Sequence, residues 1–184
     1  GQHRGPESSN LKNVMLKSMF GFHRLAINGL NQESNQPIQY KDIILICNGE
    51  IYNYKELYSL LNIAPNTESD CEIIIHLYIH FGIEQTLELL DGVFAFCLLD
   101  YRLSSATTKM FIARDPYGVR PLYMMKPTKK GLKMLKQTNK YVIASEMKMI
   151  NDIYQENNVV TNEYNSYEIQ QVRPGTYSCF EMYH

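Results

Sequence analysis

Apolar residues arrive in blocks along this chain, and the period of the blocks changes from one segment to the next. The run Ile43-Ile44-Leu45-Ile46-Cys47 is short and continuous, which predicts a buried strand. Asn48-Gly49 follows it and predicts a tight turn, because both residue types tolerate positive φ. Residues 53–61 predict a short helix with Leu57, Leu60 and Leu61 on one side. Ser69-Asp70-Cys71-Glu72 has capping-box spacing. It opens a predicted helix through Phe81, with Ile73, Ile74, Leu77, Tyr78 and Phe81 at helical intervals, and a further helical stretch is predicted over 84–90. Residues 92–99 are apolar throughout, as in a strand covered on both faces. Segments 110–113, 121–125, 141–144 and 176–180 predict further strands, and 14–27 one or two more.

The order is strands, then helices, then strands. That predicts an antiparallel α+β arrangement with stacked sheets flanked by helices, rather than regular βαβ alternation. Two stretches read as surface loops. Residues 128–140 carry five lysines with no interleaved aromatics, which predicts a solvated hairpin tip rather than a nucleic-acid patch. Residues 151–167 are rich in Asn and predict a mobile excursion.

Composition narrows the class without changing this picture. With 184 residues, 45% hydrophobic and 20% charged, the chain reads as one globular domain able to bury a full core. A net charge of −1 gives no long-range field favouring nucleic acid or membrane, and no apolar run reaches spanning length. The four cysteines (Cys47, Cys71, Cys97 and Cys179) form no CxxC pair, which predicts free thiols in a reducing compartment, with no metal site.

Four polar clusters stand beside strongly apolar elements: Arg24, Asn48-Gly49-Glu50, Asp70 and Arg114-Asp115. A free amino acid would require this set. Its α-carboxylate suits a guanidinium in bidentate contact. Its α-ammonium suits carboxylates, here Glu50 and Asp70. A side-chain carbonyl under attack suits paired donors, here Asn48 and Gly49. Each residue also has a structural reading. Asp70 fits a helix cap, Arg24 and Glu50 fit an ion pair, and Arg114-Asp115 fits a brace for the turn 116–121. His3 and His23 have no assignable nucleophilic partner and fit ordinary hydrogen-bonding roles.

Five motifs then occur in one order: His3-Arg4-Gly5-Pro6, Gly21-Phe22-His23-Arg24-Leu25-Ala26, Asn48-Gly49-Glu50-Ile51-Tyr52-Asn53, Leu90-Asp91-Gly92-Val93-Phe94-Ala95-Phe96, and Arg114-Asp115-Pro116-Tyr117-Gly118-Val119-Arg120-Pro121-Leu122-Tyr123. Together they resemble class II glutamine amidotransferase domains, from His3 to about Thr176. With Gly82-Ile83-Glu84-Gln85-Thr86 and Ser145-Glu146-Met147-Lys148, the chain looks most like the glutaminase domain of glutamine-hydrolysing asparagine synthetases.

The resemblance implies a four-layer αββα N-terminal nucleophile hydrolase fold with two stacked antiparallel sheets. It implies that Arg24 holds the glutamine α-carboxylate, with Leu25, Ala26, Ile27 and Asn28 lining the same pocket. It implies that Asn48 and Gly49 form the oxyanion hole, and that Glu50 and Asp70 hold the α-ammonium. In such enzymes an N-terminal cysteine attacks the side-chain amide, and the ammonia serves a C-terminal synthetase domain that uses ATP and Mg to turn aspartate into asparagine. No cofactor is implied within the glutaminase domain itself. A cytoplasmic location and a homodimer are further expectations.

The departures from that pattern carry their own expectations. No cysteine precedes His3, the position after Gly5-Pro6 is Glu7 rather than Asp, and the chain stops at His184 where the family continues. The chain is therefore expected to be a domain, 1–184, cut at both ends, without the first strand and helix (roughly 25 residues by ordinary element lengths). It is expected to be inactive alone. Two alternatives stand beside this one: a non-catalytic glutamine-binding or interaction module, and the glutaminase domain of another class II amidotransferase.

Overall fold

The apolar run at 43–47 is the inner part of a longer strand, and its neighbours follow from its alternation. A computed structural model describes residues 5–15, 18–25, 31–104, 107–135, 140–160 and 166–183. β1 (Ser8–Met15) and β2 (Ser18–Arg24) form an antiparallel hairpin. β3 (Ile38–Tyr40), β4 (Ile43–Ile51), β5 (Gly92–Ser104), β6 (Thr107–Arg114) and β10 (Tyr177–Tyr183) form a five-stranded antiparallel sheet in the order β10-β6-β5-β4-β3. β7 (Tyr123–Pro127), β8 (Val142–Ala144) and β9 (Tyr167–Gln171) form a three-stranded antiparallel sheet in the order β8-β7-β9. The helices are α1 (Tyr54–Leu61), α2 (Ile73–Leu89), α3 (Lys129–Leu135) and α4 (Met147–Val160).

Successive strand residues face opposite ways, and both faces of the large sheet are apolar. From β4 and β5, Ile43, Leu45, Cys47, Phe94, Phe96 and Leu98 pack with Leu57 and Tyr58 of α1 and Ile73, Ile74 and Leu77 of α2. The intervening residues Ile44, Ala95, Cys97 and Leu99 pack with Val14 of β1 and with Leu122, Met124 and Val172 around β7 and β9. On the far side of the small sheet, Met125 and Tyr167 pack with Ile150 of α4. Each fully buried side chain of this size contributes roughly 1.5–3 kcal/mol, so three successive apolar interfaces fix four layers in the order α, β, β, α. This is the expected α+β architecture. Its second β layer is made of two separate ladders.

Several local expectations are corrected. Asn48-Gly49 is not a turn. β4 continues through both, paired with Ala95 and Phe94 of β5, and Gly49 does not take positive φ. Ladder pairing outweighs the local turn preference, and the chain turns only after Ile51. The capping box does not form either. Ser69 makes no side-chain cap, and Asp70–Glu72 is a separate 3-10 turn before α2. The two helical stretches expected through Phe81 and over 84–90 are both present, run together as α2 across a kink at Gly82, whose φ of 77° is not helical.

The lysine-rich segment is helical over α3, started by Thr128, whose Oγ1 accepts the N–H of Gly131 at 3.0 Å. The Asn-rich segment is helical as far as Val160, because Ile150 and Tyr154, four residues apart, pack onto the small sheet. β9, which begins where that excursion was expected to end, was not predicted. Residues 161–165 lie outside the described residues.

Candidate functional site

The site grows from the outer edge of β4. Phe94 O of the facing strand accepts the N–H of Asp115 at 2.8 Å, so it points away from β4. Gly49 and Phe94 are therefore a non-hydrogen-bonded pair, and Cys47, Gly49 and Ile51 turn their backbone groups to the edge away from β5. Two side chains close most of that edge. Gln36 pairs with Cys47 as a strand would: its Nε2 donates to Cys47 O at 2.8 Å, and its Oε1 accepts from Cys47 N at 2.6 Å. Asp70 Oδ2 accepts from Ile51 N at 2.6 Å. The Gly49 N–H lies between these two closures, on the same edge.

The side chains of β4 complete the arrangement. Asn48 and Glu50 share the face of Ile44 and Ile46, which looks into the space between the two β layers. Neither side chain makes a hydrogen bond or ion pair among the described residues, so the Arg24–Glu50 ion pair is not formed. A cavity of about 440 Å³ opens there, and Arg24, Leu25, Asn48, Gly49, Glu50 and Asp70 all line it. Ala26, Ile27, Asn28 and His3 lie outside the described residues.

Arg24 ends β2 and is buried. Its Nη1 donates to Asn31 O at 2.9 Å and to Asn35 Oδ1 at 2.7 Å, two neutral acceptors. Asp70 does not cap its own helix, since its carboxylate reaches across to β4. Gly49 admits no side chain, because a Cβ there would lie 2.4 Å from Val93 O and 2.7 Å from Phe94 Cα. Close approach to β5, rather than a left-handed backbone, is what requires glycine at this position.

Cys47, Cys71 and Cys97 also line the cavity, all three buried as free thiols. Neighbouring Cys47 and burial push the Cys71 thiol well up. Burial pushes Cys97 up to about 12. Both are therefore thiols, not thiolates, at neutral pH. His23 accepts or donates through Nδ1 to Ser9 Oγ at 2.9 Å, the hydrogen-bonding role expected of it. Among the described residues no group of three His, Cys, Asp or Glu side chains is arranged to hold a metal ion.

Arg114 and Asp115 brace the next loop, as their structural reading predicted. Buried Arg114 donates to the carbonyls of Arg120, Val172 and Gly118 at 2.6–2.7 Å. Asp115 accepts from the N–H groups of Tyr117, Val119 and Arg120. This presents Arg120 to the cavity, where its Nε–H is buried with no hydrogen-bond partner among the described residues. Ser34, Gln36, Arg120 and Glu146 line the cavity and were not singled out in the sequence as site residues. Arg120 and Glu146 did carry a signal, since each lies inside a motif quoted from the sequence, Arg114–Tyr123 and Ser145–Lys148.

Known proteins share this sequence pattern. The chain is 48% identical over 127 residues to the asparagine synthetase [glutamine-hydrolyzing] of Gallus gallus, a stretch that covers 66% of this chain and 22% of that protein. It is 48% identical over 127 residues to the protein of that name from Bos taurus, and 47% identical over 126 residues to the one from Homo sapiens, with the same shares covered. The matched stretch is thus about a fifth of the length of these curated relatives. A family profile described as a glutamine amidotransferase domain matches residues 1–183, and the chain belongs to that family.

Proposed function

We propose that this chain is the glutamine-handling domain of an asparagine synthetase, and that its cavity binds glutamine by both charged ends while holding the side-chain amide against β4. One observation carries the reading: a guanidinium, two carboxylates and the Asn48-Gly49 donor pair converge on one cavity. Arg24 takes the α-carboxylate through a planar fork of donors. Glu50 and the second oxygen of Asp70 take the α-ammonium. The Asn48 side-chain amide and the Gly49 N–H point to where the amide oxygen acquires charge when its carbon is attacked. Each such donor stabilises the transition state by roughly 3 kcal/mol.

Attack needs an ionised nucleophile. Of the four thiols in this sequence, three are buried and Cys179, on β10, does not line the cavity. Binding and oxyanion stabilisation are therefore the roles assigned to these 184 residues, and glutamine hydrolysis by them alone is not expected. In the parent enzyme the released ammonia would serve a synthetase domain that uses ATP and Mg on aspartate, in the cytoplasm, with homodimer formation open to test.

Isothermal titration of the purified chain with glutamine tests the reading. Saturable binding that Arg24→Ala abolishes supports it, and glutamine without effect at millimolar concentration sinks it. Ammonia release above background, abolished by Asn48→Ala, would overturn the assignment of inactivity. A glutamine-binding module without catalysis in any parent is the alternative reading. It predicts binding by this chain but no glutaminase activity in the full-length polypeptide.

A further inference from the structure

The groups that grip the two ends of an amino acid sit on different parts of the chain. Arg24 ends a hairpin, and Asp70 begins a turn before α2. Their separation has to be set by something other than either element. Two hydrogen-bonded paths join them: one follows β4, where Gln36, next to Asn35, bonds Cys47 and Asp70 bonds Ile51, and a shorter one crosses directly from turn to loop.

Among the described residues, Arg24 Nη1 donates to Asn31 O and Asn35 Oδ1, which both belong to the short turn 31–35. That turn is stitched by Asn31 Oδ1, which accepts from Ser34 N at 3.1 Å and from the Ser34 hydroxyl at 2.5 Å. The same hydroxyl oxygen accepts from Glu68 N at 3.1 Å, across 34 residues of sequence. Glu68 lies two residues before Asp70. The start of its loop is fixed by Glu72, whose carboxylate accepts from Asn66 N, Asn66 Nδ2 and Thr67 N at 2.6–3.0 Å. Among the described residues no other hydrogen bond joins the turn 31–35 to the loop 64–69. A hydroxyl suits this joint because it donates once and accepts at the same atom. Ser34 is 5% exposed, so water does not compete freely for either bond.

We propose that Ser34 is a positioning residue whose hydroxyl ties the turn holding Arg24 directly to the loop carrying Asp70, and so, together with their shared anchorage on β4, sets the distance at which the two ends of an α-amino acid are held. This deepens the glutamine-binding reading and rests on it. Small shifts in such a scaffold cost much more than the bond itself, because both ends of the ligand must be met at once.

Three probes and two variants test it by titration of the whole chain. The probes are glutamine, glutaramate (no α-ammonium) and glutaminamide (no α-carboxylate). Ser34→Ala is expected to weaken glutamine about tenfold while changing each one-ended probe less than about twofold, since neither senses the separation. Ser34→Thr, which keeps the hydroxyl, is expected to restore glutamine binding. Amide exchange at Glu68 is expected to speed up in Ser34→Ala, with the β4–β5 ladder unchanged. Equal weakening of all three probes, or of one one-ended probe in step with glutamine, assigns Ser34 a structural or direct-contact role and overturns the proposal. No glutamine binding by the unsubstituted chain overturns the underlying reading, and the proposal with it.

Discussion

Asp70 Oδ2 accepts the backbone N–H of Ile51 at 2.6 Å, while Oδ1 accepts no hydrogen bond among the described residues. One carboxylate therefore has two tasks that substitution can separate. Asp70→Ala leaves the Ile51 N–H without an acceptor beside a fully buried side chain, which should cost about 1–3 kcal/mol of stability. Asp70→Asn keeps an acceptor oxygen and should cost less than half as much, yet should lose glutamine binding because the charge is gone. Urea denaturation and titration calorimetry on the two variants separate the effects.

Gly49 and Gly21 make a matched pair of tests. A Cβ on Gly49 would meet the backbone of Val93 and Phe94 at 2.4–2.7 Å, whereas on Gly21 the nearest atom is Leu11 Cδ1 at 3.5 Å. Gly49→Ala should destabilise by about 1–3 kcal/mol, as overpacking against fixed backbone does. Gly21→Ala should lie within about 0.5 kcal/mol of the parent. Thermal unfolding followed by circular dichroism compares them directly.

Acid should loosen the loop beside the site. Burial pushes the Glu72 carboxyl up, but hydrogen bonds from His76, Thr67 and Asn66 together outweigh it and hold the group down to about 2. Asp100 is lowered too: burial raises it, and bonds from Arg102 and Tyr78 more than reverse that. A carboxylate whose folded pKa lies below its unfolded value, about 4.3 for Glu, contributes fully above about pH 5. That contribution fades as pH falls toward 2. For Glu72 it is roughly 3 kcal/mol. Urea midpoints measured from pH 7 down to pH 2.5 should fall most steeply below about 4.5, and Glu72→Gln should flatten the profile. A parent profile as flat as the variant's would count against the network.

The thiols give a chemical test of the layers. Cys179 is exposed and Cys47, Cys71 and Cys97 are buried. Iodoacetamide at neutral pH should label one site on the folded chain and four after denaturation, read by mass spectrometry. Rapid labelling of Cys71 or Cys97 in the folded chain would contradict the raised state of those thiols.

Arg24, Asn48, Gly49, Glu50 and Asp70 were legible as chemistry because a guanidinium, an Asn-Gly pair and two acids each adjoin an apolar block. The layer order was legible because the 43–47 and 92–99 blocks are apolar at every position, as a strand buried on both faces requires. The lysine-rich and Asn-rich helices were missed because a local window there is dominated by solvent-facing polar residues. In the Asn-rich helix, Ile150 and Tyr154 supply packing onto the small sheet.

What the sequence determined by itself is therefore periodic and compositional: which residues face inward, which carry charge, and in what order the motifs come. Tertiary structure alone decided the pairings. Asn48-Gly49 lies within a strand because β5 runs alongside it. Glu72, besides meeting His76 of α2, reaches back to bond the loop at 66–67. Ser34 meets Glu68 across 34 residues. Local preferences are worth about 1 kcal/mol or less per residue, and a ladder of buried hydrogen bonds formed at a distance overrides them.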